Sequence, residues 1–529
     1  MASSAPPAGA SGAAPSAAHR PGRRNADLSD WLAVAAGTLG ALMATLDISI
    51  VNSSLPTIQG SIGATGSEAT WVATSFLVAE IIIIPLSGWL TKLLGLRRFL
   101  LISAILFVVF SVICGIATNL TTMIIGRVGQ GLSGGAMIPT AMTIIATRLP
   151  PHQQPIGSAA FGFTAIMGPV VGPVLGGWLT ETYSWHYAFF INVPLSGFLV
   201  ALLLIGLPKS RARLDLLADA DWLGLVGLTL FLGGFTLVLE EGNREQWFQS
   251  AEIIWLTVMA TIGVAMVTAG QLWAKEPIIR LSLLYDRQFS GVIVMGLAIG
   301  MVLYGSSFVI PQFLAAISNY NALQAGMIVS ITGLPAITLM VLSPFIMRIF
   351  DIRLAVGIGL ALLVLSAWVD TTLNAESVGG DFVESQLLRG LGIAMTFIFL
   401  NQAAISSVPV KYAGDAAGLF NTARNLGGSL ALAAIATVQE QRYYFHARRL
   451  EETLSANAIA VQDRLLEMTA TYGSSEAALR ALSGIISREA LVMTYNDLFF
   501  LLAVVIVVVI PLALLLRPLP SDISSGPMH

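Results

Sequence analysis

Residues 155–178 read PIGSAAFGFTAIMGPVVGPVLGGW, a run without a single charged side chain. Wound as an α-helix rising about 1.5 Å per residue, it is long enough to cross the ~30 Å hydrocarbon core of a bilayer. Gly168, Gly172 and Gly176 recur at i, i+4 and i+8 and so share one helix face, where small residues let two backbones approach closely. Pro169 and Pro173 lie four residues apart, kink the helix and free backbone carbonyls. Ordinary tight packing fits this pattern, and so does a hinge and seal between two halves of a moving bundle.

Working outward, comparable runs lie near 31–56, 71–91, 99–118, 121–147 and 189–207, then near 221–240, 252–273, 289–316, 322–347, 354–371, 384–409, 414–438 and 489–516. Runs of this length and hydropathy mark transmembrane helices, so the expectation is an all-α membrane protein with fourteen of them. Composition agrees: 55% of the 529 residues are hydrophobic and 11% are charged, against about 25% charged in soluble domains. So little polar surface cannot cover a water-soluble globule, and membrane lipid must solvate the rest. A net charge of −3 gives no reason to expect a nucleic-acid partner. Cys114, the lone cysteine, excludes an intrachain disulfide and reads as a small core residue. No Cys/His cluster has metal-ligand spacing, so no metal site is expected.

The basic residues test the count. With the N-terminus cytoplasmic, inward segments carry 17 of the 27 lysines and arginines, while the short outward loops carry only Arg244. A one-helix error would scramble that asymmetry, so the positive-inside rule places both termini in the cytoplasm. The spans group as six, two and six. The expected organisation is a disordered tail at 1–26, a six-helix bundle at 27–207, a linker with two extra helices at 208–288, a second six-helix bundle at 289–516 and a tail at 517–529. The second bundle includes a long outward stretch at 439–488, read either as an extension of the flanking helices or as a docking surface. The bundles echo one another weakly, with Arg127-Val-Gly-Gln130-Gly in the fourth helix of the first and Arg389-Gly-Leu-Gly in the fourth of the second. Similar halves mark transporters that rock about a midplane site.

Charges inside spans are costly and are functional candidates by default. Asp47 lies roughly 24 Å along the first helix and Arg127 roughly 9 Å below the outer end of the fourth, at similar depth. We expect one polar network in which Arg127 makes an ionised Asp47 tolerable. Glu80 sits amid Leu-Val-Ala-Glu-Ile-Ile-Ile-Ile, an apolar setting suited to a carboxyl that binds and releases a proton. Arg389 and Arg424 are the second-half candidates, as structural charge partners or as substrate or gating contacts. Glu240, Glu241 and Asp415, at helix ends, read as solvated charges.

These residues and their surroundings match a family. The chain resembles the major facilitator superfamily, and within it the fourteen-helix drug:proton antiporters of the EmrB/QacA type. Leu46-Asp47-Ile-Ser-Ile-Val51-Asn52-Ser-Ser-Leu55-Pro56 is similar to that family's first-helix motif. Gly88-Trp-Leu90-Thr-Lys92-Leu-Leu-Gly95-Leu-Arg97-Arg98 resembles its loop between helices 2 and 3. There Lys92 stands where the wider superfamily has an aspartate, which removes the group for a latch built on that acid. Arg127-Val-Gly-Gln130-Gly131 is similar to the proton-coupling motif of helix 4, the Gly-Pro run to the exporter motif of helix 5, and Trp185-His-Tyr-Ala-Phe189-Phe190-Ile-Asn192-Val-Pro194 to the approach to helix 6. The resemblance implies proton-driven export of hydrophobic small molecules by Asp47, Glu80 and Arg127. It implies gating or substrate contacts at Asn52, Gln130, Arg389 and Arg424, and conformational roles for the glycines, prolines and arginines of the two motifs. It further implies a Gram-negative inner membrane, no cofactor beyond the proton gradient, and a tripartite pump with a periplasmic membrane-fusion adaptor and an outer-membrane channel.

Rival readings predict other residues. An importer or exporter of one metabolite or siderophore needs several fixed polar groups in its cavity, whereas charge is sparse in these spans. A membrane-embedded enzyme needs a cluster such as HExxH, and none of His19, His152, His186, His446 and His529 lies within a span.

Overall fold

The computed structural model describes residues 25–517, apart from 211, 219, 275–276 and 455–458. The tails beyond those limits, Arg211, Lys275 and the side chains of Pro169 and Arg348 lie outside the described residues. No strand occurs among the described residues. The first bundle comprises α1 (Leu28–Ile62), α2 (Gly66–Leu94), α3 (Leu96–Gly115), α4 (Leu120–Arg148), α5 (Gln154–Thr182), and a sixth rod in two pieces, α6 (Tyr187–Phe190) and α7 (Asn192–Gly206). A middle pair follows, α8 (Trp222–Glu241) and α9 (Ala251–Trp273). The second bundle holds α10 (Arg287–Ala316), α11 (Ala322–Ser330), α12 (Gly333–Ile349), α13 (Ile352–Val369), α14 (Val383–Ser406), α15 (Ala413–Thr453), α16 (Ile459–Tyr472) and α17 (Ser475–Val509).

Local chemistry sets several boundaries. Thr65 and Glu68 form a reciprocal capping box at the start of α2, as do Asn321 and Gln324 at α11. Gly95 takes φ +80° between α2 and α3, a conformation that costs glycine little. Asn25 and Ala26, which the sequence places in the loose tail, bond to His152 and Gln153 after α4.

Among the described residues, ten helical stretches are long and apolar enough to cross a membrane by length and composition. The four other spans expected from sequence fall on α4, α5, the α11–α12 pair and α15, outside those ten. α4 and α15 are buried against other helices along much of their length and carry polar residues such as Gln130, Asn421 and Arg424 on those faces. Helices lined by protein need not be apolar all round. By contrast α9, with 22% of its apolar stretch buried, faces lipid.

In the first bundle α1 packs on α4, α5 and α7, and α2 on α4; in the second, α10 packs on α15 and α13 on α14. Across the seam α15 meets α2 and α4, and α5 meets α11, α12 and α14. α8 and α9 pack on each other, and α8 also touches both α2 and α15. The stretch 439–488 is largely helical: α15 runs on to Thr453, α17 begins at Ser475, and α16 packs on α17.

The glycine face of α5 corrects one expectation. A β-carbon on Gly168, Gly172 or Gly176 would collide with Thr45, Ser49 or Ser53 of α1, so this face seals two helices of the same half. Toward the other half α5 sets Val170 against Gly333 and Pro173 against Gly326, while Ser158 Oγ donates to Gln402 Oε1 of α14 at 3.0 Å and Phe161 stacks on Phe397.

The packing predicts that Gly172→Ala destabilises the purified protein by about 1–3 kcal/mol. Gly197→Ala, where nothing lies within 4 Å of the added carbon, should leave the thermal midpoint in detergent unchanged or raised.

Candidate transport site

Asp47 on α1 is almost wholly buried, and its counter-charge comes from α4. Arg127 Nη1 donates to Asp47 Oδ2 at 2.5 Å, with both side chains inaccessible to solvent. The second carboxylate oxygen accepts from Gln130 Nε2 at 3.0 Å and Asn192 Nδ2 at 2.7 Å. Both amides also donate to Ser111 Oγ, which donates to the Phe189 carbonyl at 2.8 Å. Arg127 Nε donates to the Val72 carbonyl at 2.9 Å, and its guanidinium lies 4.2 Å from the Phe76 ring centre. Such pairing lets a charge persist in a low-dielectric interior, because each desolvated oxygen finds a donor.

Glu80 lies half-way along α2, 2% exposed. Asn425 of α15 shares a cavity wall with it, and the neighbouring Arg424 is a cation whose field favours the ionised carboxyl. A cavity of about 20 Å³ adjoins it, walled by Glu240, Tyr304, Asn425 and Ser429 among others. Glu80 therefore sits on the seam between the two bundles. Arg424 packs 5.6 Å from the Phe397 ring centre.

The second half has its own buried pair. Arg389 Nη2 donates to Asp370 Oδ2 at 2.6 Å, and Nη1 donates to Gln386 Oε1 at 2.9 Å, which also accepts from Thr332. Arg389 also lines a small cavity with Val170 of α5, so it too lies beside the seam.

At the end of the molecule that bears Lys92, here termed the inner end, a cross-bundle contact closes the seam. Lys92 Nζ donates to both carboxylate oxygens of Asp415 at 3.0 Å, and Arg280 approaches to 3.8 Å. Gly88 makes room, since a β-carbon there would meet Asp415 Oδ1 at 2.7 Å. The lysine that displaced the expected aspartate thus forms a latch of opposite polarity. Arg97 donates to the Leu207 carbonyl at 2.9 Å, whereas Arg98 is exposed.

The structure brings Asp47, Arg127 and Gln130 into one cluster, and Glu80 and Arg424 into another; Asn52 is exposed and joins neither. Three helix-end acids read as solvated are covered instead. Asp415 and Glu241 are 4% exposed, the latter paired with Arg244 at 2.5 Å, and one carboxylate oxygen of Glu240 is buried. Asn192, Asp370 and Gln386 were not recognised from sequence. An unpaired Arg389 at the outer end of its helix was the available signal for an acid such as Asp370. Trp185 and Phe189 are core residues, while Trp178 and Tyr187 are exposed.

Residues 37–432 match the family profile of the Major Facilitator Superfamily. The colistin resistance protein EmrB of Acinetobacter baumannii is 32% identical over 90% of this chain and 94% of its own length. The multidrug export protein EmrB of Haemophilus influenzae is 34% identical over 88% and 91%. The crystal structure of the human organic anion transporter MFSD10 superposes with a TM-score of 0.56 at 15% identity, covering 90% of this chain and 99% of that one.

Two predictions follow from the ion pairs. Arg127→Gln leaves a buried carboxylate uncompensated and should cost about 3–5 kcal/mol; adding Asp47→Asn should recover most of it in detergent melting curves. Lys92→Asp sets two acids against each other at the latch. A cysteine at Gly414 should then react faster with a soluble maleimide, and adding Asp415→Lys should return it to the starting rate.

Proposed function

Because the chain belongs to the major facilitator superfamily, a family of membrane transporters, we propose that it is a proton-coupled antiporter exporting hydrophobic drugs or toxic small molecules by alternating access. It crosses a bacterial inner membrane fourteen times with both termini in the cytoplasm. The names of the EmrB relatives, one for multidrug export and one for colistin resistance, favour broad export. As in the resemblance above, a periplasmic adaptor and an outer-membrane channel would complete a tripartite pump.

The observation that carries the reading is the position of Glu80. This carboxyl is buried at the seam, between the first bundle that bears it and Arg424 and Asn425 of the second. When ionised it attracts Arg424 and draws the bundles together. When protonated it loses that attraction, so proton binding changes the relative stability of the two access states. Asp47 and Arg127 keep the first bundle's own charges balanced while it moves. The Lys92–Asp415 latch closes the cytoplasmic side and must open for substrate loading.

The test uses inverted membrane vesicles energised to an acid interior and challenged with hydrophobic cations, weak acids and uncouplers. Wild type should dissipate the pH gradient when a substrate is added. Asp47→Asn and Glu80→Gln should respond no more than vesicles lacking the protein. Substrate-driven proton movement that survives Glu80→Gln would remove Glu80 as carrier. No response to any compound, with folded protein in the membrane, would favour a transporter of one specific metabolite.

A further inference from the structure

Glu240 stands one residue before the end of α8, in the middle pair that neither six-helix bundle contains. One of its carboxylate oxygens is buried with no hydrogen-bond partner among the described residues. Ser429 of α15 stands with it in the wall of one cavity, and its sequence neighbour Glu241 is held by Arg244 at 2.5 Å. A half-buried carboxylate without a cation of its own is unfavourable, and that cost falls when a proton or a water can reach it. Such a place lies beside it. The cavity of about 20 Å³ that Glu240 walls is the one that Glu80 walls from α2, with Tyr304 and Asn425 between them. That volume holds one water molecule. Tyr304 Oη lies 3.5 Å from Asn425 Oδ1, so polar atoms line the way from one acid to the other.

The two acids also differ in depth. Glu80 lies half-way along α2, whereas Glu240 lies at the end of α8 next to the turn that carries Asn243 and Arg244. The other ionisable groups facing this region are Arg424 and Glu440 on α15, Tyr304 on α10, Glu241 beside Glu240, and Glu252 on α9.

We propose that Glu240 is the outer station of a proton path to Glu80, so that the middle helix pair supplies a working residue to the transport cycle. The proposal rests on the proton-carrying reading of Glu80. An outer hydronium gives its proton to the Glu240 carboxylate. The acid so formed donates to the cavity water as that water passes one of its own protons to the Glu80 carboxylate. Glu240 returns to the carboxylate, the water is regenerated, and Glu80 becomes the neutral acid. Glu240 is thus a relay, and Glu80 keeps its place as the group whose protonation loosens the seam.

The experiment needs no substrate. Full-length protein in lipid vesicles is followed by infrared spectroscopy, the Glu80 band being the protonated-carboxyl stretch that Glu80→Gln removes. On transfer to heavy water this band shifts as the proton exchanges. Glu240→Gln should leave its amplitude unchanged and slow the exchange by on the order of 10²-fold, as when a positioned proton donor is lost. Glu240→Asp should exchange nearly as fast as wild type. Glu240→Ala should be slow and recover when acetate is added, which a purely structural role would not produce. Exchange at the wild-type rate in both Glu240→Gln and Glu240→Ala, with the band intact, overturns the path and leaves the Glu80 reading standing. A wild-type protein without a Glu80 band at any pH overturns both.

Discussion

A charge inside a lipid-embedded bundle is tolerable only when another helix brings its partner, and the arrangement of helices here answers to that requirement. Asp47 on α1 needs α4 for Arg127 and α7 for Asn192. Asp370 at the end of α13 needs α14 for Arg389. These bonds lie within one half each and cost several kcal/mol to break, because the survivor would be a desolvated ion. They tie the helices of each half to one another. The contacts that cross the seam are of another kind. Lys92 is 40% exposed where it meets Asp415, so water can solvate the lysine once it lets go, and Arg280, 3.8 Å from the Asp415 carboxylate, stands beside the covered acid. Glu80 can shed its charge altogether by taking up a proton. Firm pairs within halves and exchangeable ones between them are what a rocking mechanism requires.

Glycine does complementary work where backbones must come close. Gly300 on α10 lies against the Arg424 carbonyl, and Gly427 on α15 against the Leu297 carbonyl. Two helices locked at that separation hold Arg424 at a fixed depth. Gly131 and Gly135 on α4 press likewise against α2 around Ala79 and Glu80. The groups whose charge matters are positioned by residues that carry no side chain at all.

Much of this could be read from sequence, and the reason lies in one-dimensional information. Hydropathy fixes where each helix lies, and a rise of about 1.5 Å per residue fixes depth; equal depth was enough to connect Asp47 with Arg127. Depth does not give the direction a side chain faces, nor which helix faces it. Glu240 and Asp415 sit at helix ends, where solvent is the natural neighbour. Only the packing of α15 over α8 and of the end of α2 over α15 covers them. Asp370 escaped notice for the related reason that it lies at the end of α13, whereas the helix equivalent to α1 is α10. The α5 glycines were assigned a close helix contact correctly, but a stripe of glycines does not say whether its partner belongs to the same half.

The unbroken length of α15 carries a mechanical implication. Its 41 residues begin at Ala413, two before the latch residue Asp415, and end beyond Arg442 and His446, which share Asp497 of α17. A helix of that length is a strut of roughly 60 Å. Tilted by about 10° around its inner end, it would sweep its far tip some ~10 Å sideways. A release of one lysine at the inner end would thereby be amplified into a displacement at the other end, where α16 and the start of α17 ride on the far tip.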